Sequence, residues 1–297
     1  MLIVTLTLLL DLIFGEPPVR FHAVVWMGDY LKFARSRWMA SSPKTQLLEG
    51  GGWWLLGAIS VFGLAFMASN VLRLLPAWLE VFGTVLLLKP MLSLKSLFAA
   101  VQAVQHPLEL GLLENARKML AWHLVSRDTS QLREDEVIGA SIESLFENLS
   151  DALIAPILCF LIGGLPLAAL YRFANTADAM WGYRTPAFLY SGRVAARADD
   201  LLNLIPARVT GGCLAALNLV AWRIMLRDGL QTSSPNAGIP MAAGAGALAI
   251  RLEKRNLYAL NTEARAPRLT DISRAKALAK QALLVFLGCC VLLEVLF

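Results

Sequence analysis

From Leu153 to Tyr171 the chain reads LIAPILCFLIGGLPLAALY and carries no charged side chain. Such a run constrains the fold strongly, because about 20 apolar residues in a helix cross the hydrocarbon core of a bilayer. Similar runs recur along the chain, giving candidate membrane segments at 1–14, 53–75, 77–103, 149–172, 204–226 and 279–297. Charged residues make up 16% of the sequence, against about a quarter in soluble domains. The expected fold is therefore all-α: a polytopic integral membrane helical bundle with helical loops on the cytoplasmic side. The apolar segments run from end to end, so 1–297 is read as a single domain.

The net charge of +5 comes from basic residues spread through the loops, with no Lys/Arg block. That pattern speaks for membrane topology and anionic ligands, and no nucleic-acid partner is expected. Cys159, Cys213, Cys289 and Cys290 all lie in apolar runs without a C-x-x-C spacing, so buried reduced thiols are expected. The opening MLIVTLTLLLDLIFGEPP lacks a basic start and a small-residue cleavage site. It reads as a short first membrane helix ending at Gly15, with Asp11 set against protein rather than lipid.

Loop charge sets the orientation. The short, nearly neutral link around Arg73 to Pro76 belongs outside, and the basic stretches 15–52 and 227–278 belong inside with 104–148. Full crossings by both 149–172 and 204–226 would put the polar stretch 173–203 outside. Gly163-Gly164 and Gly211-Gly212 offer breaks, so one or two of these helices are expected to be broken or re-entrant. Within 104–148 two helices are expected on either side of SRDTSQLREDE, the second starting near Ser130.

Before the longest apolar run stands ESLFENLSDA, with Glu143, Glu147 and Asp151 at i, i+4 spacing on one helical face. Like charges so placed either form a solvated face or hold a divalent cation; Mg²⁺ takes such oxygen ligands. Arg127 and Asp128 sit among hydroxyls in SRDTS, as a phosphate contact or as helix caps. NTADAMWGYR offers Asn175, Asp178, Tyr183 and Arg184. RVAARADDLLN offers Arg193 and Arg197, then Asp199, Asp200 and Asn203; adjacent acids cannot share a face, so only one of them points with Asn203. Intrahelical salt bridging is the alternative role for these charges. SPNAGIPMAAGAGALAIRL reads as a turn and a helix whose small residues allow close packing, with Asn236 and Gly238 placed to offer amides to an anion. His22, His106 and His123 show no zinc spacing, and no Walker A sequence occurs.

Together, LLLDLIFGEPPVRFHAVVWMG, SRDTS, ESLFENLSDALIAP, NTADAMWGYR, ARADDLLNLIPAR and SPNAGIPMAAGAGALAIRL resemble, in order and over nearly the whole chain, the CobD/CbiB family of cobalamin-biosynthesis membrane enzymes. Glu16, Ala23 and Ile239 stand where that family commonly has Asp, Pro and Trp. The resemblance implies an adenosylcobinamide-phosphate synthase of the inner membrane with its active site facing the cytoplasm. ATP and Mg²⁺ would drive amide formation between adenosylcobyric acid and aminopropanol or its phosphate, through an acyl phosphate, and other corrin-assembly membrane enzymes would be partners. On the matching positions it implies Mg²⁺ at Glu143, Glu147 and Asp151 with Asn148 in support. Arg127, Arg184 and Arg197 would hold phosphates, with Asp128 beside them. Asp199 or Asp200 would be the base or a second metal contact. Asn175, Asp178, Tyr183, Asn203, Asn236 and His22 would bind substrate or phosphate. More distantly the sequence resembles membrane sensors tied to β-lactamase induction, so a regulatory protein is the alternative; a corrinoid transporter is the third reading.

Overall fold

The computed structural model describes residues 1–39, 42–183, 185–216 and 218–296. These fold as an all-α membrane protein with one small antiparallel hairpin. In chain order the helices are α1 (Leu2–Phe14), α2 (Ala23–Ser36), α3 (Pro43–Arg73), α4 (Ala77–Leu88), α5 (Leu94–Glu109), α6 (Leu113–His123) and α7 (Glu134–Leu149). They continue as α8 (Ala155–Trp181), α9 (Arg193–Leu202), α10 (Leu204–Ala215), α11 (Leu219–Asp228), α12 (Gly238–Leu248) and α13 (Leu269–Leu296). Strands β1 (Leu252–Lys254) and β2 (Tyr258–Leu260) lie between the last two helices. Among the described residues, four helical stretches are long and apolar enough to cross a membrane: Pro43–Arg73, Ala77–Glu109, Glu134–Trp181 and Leu269–Leu296.

Local chemistry explains the ends. Ser42 caps α3 by accepting the Thr45 amide at 3.3 Å, with Pro43 in the first helical position. Gly15 ends α1 with φ 68, a region glycine enters freely. The chain resolves into two compact units, residues 1–93 with 155–203 and residues 94–154 with 204–297.

In the first unit α2, α3 and α8 share a core of Leu31, Ala58, Phe173 and Trp181. Gly57 of α3 meets the Phe173 ring, and Gly50 meets the Ser191 backbone, so a Cβ at either would clash. The most apolar window of α3 is only 11% buried, as a lipid-facing helix should be. Helix α1 is short, and its Asp11 is fully buried 3.8 Å from Lys89, whose ammonium also donates to the Gly15 carbonyl. Asp11 thus faces protein, as its position suggested.

The run at 153–173 behaves unlike a simple span. Gly163 (φ −135, ψ 18) and Gly164 (φ 65, ψ −161) leave helical geometry inside α8. Ala155 and Cys159 then pack against Leu167 and Tyr171. In a straight helix Cys159 and Tyr171 would stand about 18 Å apart, so the chain doubles back at the glycines. The second Gly-Gly does not break its helix. Gly211 and Gly212 lie inside α10, where a Cβ on Gly211 would stand 2.7 Å from the Met225 sulfur. The expected segment 204–226 is instead two packed helices, α10 and α11, and these glycines let α11 approach.

In the second unit α7 is the buried centre, with Val137, Ile142, Leu145 and Phe146 shielded from solvent. Gly244 of α12 meets Phe146, and a Cβ on Gly246 would stand 2.7 Å from the Ala221 Cα, so the small-residue helix packs closely. Asp271 at the start of α13 accepts from Arg265 at 2.6 Å and from the Arg268 amide at 2.8 Å, fixing the return from the hairpin. Helix α7 starts at Glu134 rather than near Ser130: Arg133 is its cap, and its amide donates to Glu136 at 2.7 Å.

Candidate functional site

Two polar clusters stand out, one in each unit. In the second unit the anchor is Glu136, which accepts the paired nitrogens of Arg255 at the tip of the β hairpin. Glu143 lies seven residues on, two turns along the same face of α7. It is 5% exposed, and its Oε1 has no hydrogen-bond partner. Arg127, Tyr258, Glu147 and Lys254 lie close enough to act on its charge. Tyr258 is partly buried, and that burial first, then the Glu143 and Glu147 charges, push its phenol well above the usual range.

Arg127 reaches this cluster from the loop between α6 and α7. That loop is pinned by Thr129, whose hydroxyl donates to the Arg117 carbonyl at 2.8 Å, and by Ser144, which donates to Leu124 at 3.2 Å. Asp128 is exposed and accepts from the Ser130 amide at 2.9 Å and hydroxyl at 3.1 Å. These bonds hold its carboxyl below the ordinary value and make it a turn cap.

The expected row of three acids is interrupted. Glu143 and Glu147 share α7, whereas Asp151 falls in a π-helical turn at Ser150–Ile154. A wider turn takes Asp151 off the i, i+4 line. Among the described residues, no three His, Cys, Asp or Glu side chains gather closely enough to hold a metal ion alone. Asn148 donates to the Ser144 carbonyl at 2.9 Å. Asn236 accepts from Arg208 at 2.8 Å, and the Gly238 amide donates to Thr232 at 3.1 Å, so that helix start serves its own turn.

In the first unit the cluster joins α8 beyond its break to α9. Asn175 donates to Asp199 at 3.4 Å and Asn203 donates to its other oxygen at 3.1 Å. Tyr171 donates to the Asn203 carbonyl oxygen at 2.8 Å, and Arg172 to that of Asn175 at 3.3 Å. Each amide therefore has its orientation fixed by a donor behind it. Asp199 is the acid that points with Asn203. Burial, then the Asp178 carboxylate, hold Asp199 well above the usual carboxylate range, with Asp200 adding to the effect. Arg193 and Arg197 are exposed on α9. Tyr183 is half exposed, with its ring centroid 6.2 Å from that of Phe188. His22 pairs with Glu16 at 3.0 Å and buries an unpartnered Nδ1. Arg184 lies outside the described residues.

Tyr171, Lys254 and Tyr258 escaped the sequence reading. LEKRNLYAL was passed over inside a basic loop, although Asn256 takes φ 59, a turn conformation to which asparagine is suited.

A profile described as CobD/Cbib protein matches residues 4–285. The chain belongs to the CobD/CbiB family. Among the relatives of this CobD/CbiB chain is a probable cobalamin biosynthesis protein CobD of Pyrococcus furiosus, 38% identical over 91% of this chain and 90% of its own. The cobalamin biosynthesis protein CobD of Geobacter metallireducens is 41% identical over 86% of this chain and 82% of its own. That of Rhodobacter capsulatus is 38% identical over 92% and 91%. No solved structure matches this CobD/CbiB chain.

Proposed function

We propose that this CobD/CbiB protein acts in cobalamin biosynthesis as an ATP- and Mg²⁺-dependent ligase joining adenosylcobyric acid to aminopropanol or its phosphate. The pathway comes from the relatives' names. The chemistry rests on one observation: a buried Glu143 with an unpartnered oxygen, within electrostatic reach of Arg127 and Glu147.

That donor set fits Mg²⁺, which binds through one or two carboxylates and completes its shell with water and phosphate. Glu143 and Glu147 would hold it, and when bound it supplies positive charge to the transferring phosphoryl group. Arg127 neutralises phosphate oxygens and orients them. A propionate oxygen takes the terminal phosphoryl group of ATP and ADP leaves. The amine then attacks the acyl carbon, inorganic phosphate leaves, and the nitrogen gives up a proton. The family resemblance, not a measured approach of the two clusters, assigns that proton to Asp199, whose oxygens are fixed by Asn175 and Asn203.

The protein is read as multi-pass in the inner membrane with this chemistry on the cytoplasmic side. The doubled-back α8 supports a re-entrant hairpin. Broken helices also occur in transporters, so the test must separate the two. Purified protein receives adenosylcobyric acid, amine, ATP and Mg²⁺. ADP released only with both substrates supports the ligase. Corrinoid crossing sealed vesicles without ATP replaces it with transport, and no release of either kind leaves the sensor reading.

A further inference from the structure

The ligase reading leaves a cavity of the first unit without a task. It holds about 440 Å³, within the range of pockets that take small molecules, roughly 300–1,000 Å³. Helix α3 lends it Gly57, Ser60, Val61, Leu64, Ala65 and Ala68. That spacing of i, i+3, i+4, i+7, i+8 and i+11 is one face of a helix. Eleven residues of helix rise about 16 Å, so the cavity is a long cleft that runs with α3. A second wall comes from α8 beyond its glycine break, where Leu165, Ala169 and Phe173 follow at i, i+4 and i+8. Met27 of α2 and Leu86 of α4 belong to the remaining walls.

The lining selects the chemistry of an occupant. Among the described residues that form it, none is charged. Its polar side chains are already engaged. The Tyr30 hydroxyl donates to the Trp53 carbonyl at 2.7 Å, the Ser60 hydroxyl to the Leu56 carbonyl at 2.7 Å, and the Trp26 indole to the Arg20 carbonyl at 3.1 Å. A polar ligand would enter without replacing its hydrogen bonds to water, so the fitting occupant is a hydrocarbon. The surroundings select which one. Helix α3 is long and apolar enough to cross a membrane, and its most apolar window is only 11% buried, so acyl chains are the medium along it. Leu64 is 68% exposed, whereas Met27, Leu165 and Ala169 are at most 6% exposed. The cleft therefore opens on the lipid side of α3 and reaches into the core. Left empty, it would forfeit dispersion contacts along its whole length. At Gly57 the rings of Tyr30 and Phe173 come against α3 and close that end.

We propose that this cleft is a lipid-binding site that holds one acyl chain of a bilayer phospholipid, lying along α3 and packed against α2, α4 and α8. The long, narrow run of one helix face fits an extended chain rather than a compact ring system. The chain completes the packing of the first unit, and the inference stands whether or not the protein is a ligase.

The test uses the full chain in phosphatidylcholine nanodiscs that contain a tracer phosphatidylcholine with a diazirine in one acyl chain. After irradiation, labelled positions are mapped by mass spectrometry for wild type, Ser60→Phe, Ala68→Phe and Met67→Phe. Ser60 and Ala68 line the cleft, whereas Met67 is 66% exposed on α3 outside it. Wild type should carry label on Met27, Leu165 or Ala169, which lipid that merely surrounds the protein does not reach. That label should fall about tenfold in both filled variants and persist in Met67→Phe. Helical signal and melting temperature tell a filled cleft from a fold defect; if both filled variants misfold, the wild-type map alone decides. Label confined to exposed residues in wild type overturns the proposal, as does buried label that both folded variants retain. Displacement of the label by adenosylcobyric acid also overturns it, because the cleft would then take the substrate. Turnover is not part of the readout, so failure of the ligase reading leaves the result untouched.

Discussion

Glu147 and Asp199 carry the sharpest residue-scale expectations. Glu147→Gln keeps its shape and loses the charge. It should abolish ADP release with the helical signal and melting temperature unchanged; normal turnover would remove Glu147 from the metal role. Asp199 works as a base only when ionised. Its carboxyl is held above the usual range by burial and the Asp178 charge. Turnover should therefore rise with pH through an apparent value above that range. Asp178→Asn removes a neighbouring negative charge, which favours ionisation of Asp199, so the rising limb should move to lower pH. Asp199→Asn should remove the limb altogether. A pH profile of kcat/KM on the variants decides it, and an unmoved limb in Asp178→Asn would take Asp199 out of the base role. The sequence placed one of two adjacent acids with Asn203, but left open which. Only the α9 packing on α8 selects Asp199, because the choice depends on which face of α9 is buried.

At the scale of elements, the glycine pairs separate two roles that look alike in sequence. Gly164 sits at φ 65, ψ −161, a region almost confined to glycine, where a side chain costs about 1–3 kcal/mol. Gly164→Ala should lower the melting temperature accordingly. Gly63→Ala lies in a helix with nothing within 4 Å of the new methyl, so it should change stability by less than about 1 kcal/mol, with a slight gain in helix propensity. Equal melting temperatures for the two variants would mean that the break stores no conformational demand. Gly211, by contrast, is helical and crowded by Met225 and Ile239. Its composition resembles that of the breaking pair. What differs is what lies opposite the missing Cβ, and that is a tertiary fact. Gly15 was legible as the end of α1, whereas α3 starts at the Ser42-Pro43 cap, ten residues before the 53 that the apolar run suggested. Arg133 replaced Ser130 as a cap because the Glu136 carboxylate, held by Arg255, returns to the Arg133 amide.

For the whole molecule, the doubled-back α8 makes a topological prediction. Ala187 lies in the exposed loop after α8 and Ser191 is buried, so Ala187 is the position to label. A cysteine there should react with an impermeant reagent from the cytoplasmic face alone. Reaction from the outer face would reject the re-entrant hairpin. The two units interleave along the chain, each taking two separate segments. Apolar runs spread from end to end gave no sign of that division, because hydropathy reports burial from water and not which neighbours do the burying.

By itself the sequence determined the membrane character, the limits of α1, the break between α3 and α4 and, through six ordered motifs, the family. Those depend on local composition, spacing and the conformational limits of glycine and proline. The tertiary structure decided which acids are desolvated, which of two glycine pairs turns the chain, and that a small hairpin brings Lys254 and Tyr258 to Glu143. Such facts come from residues far apart in the chain. Arg255 and Glu136, or Tyr171 and Asn203, become partners only when packing closes the distance, and no local pattern encodes that meeting.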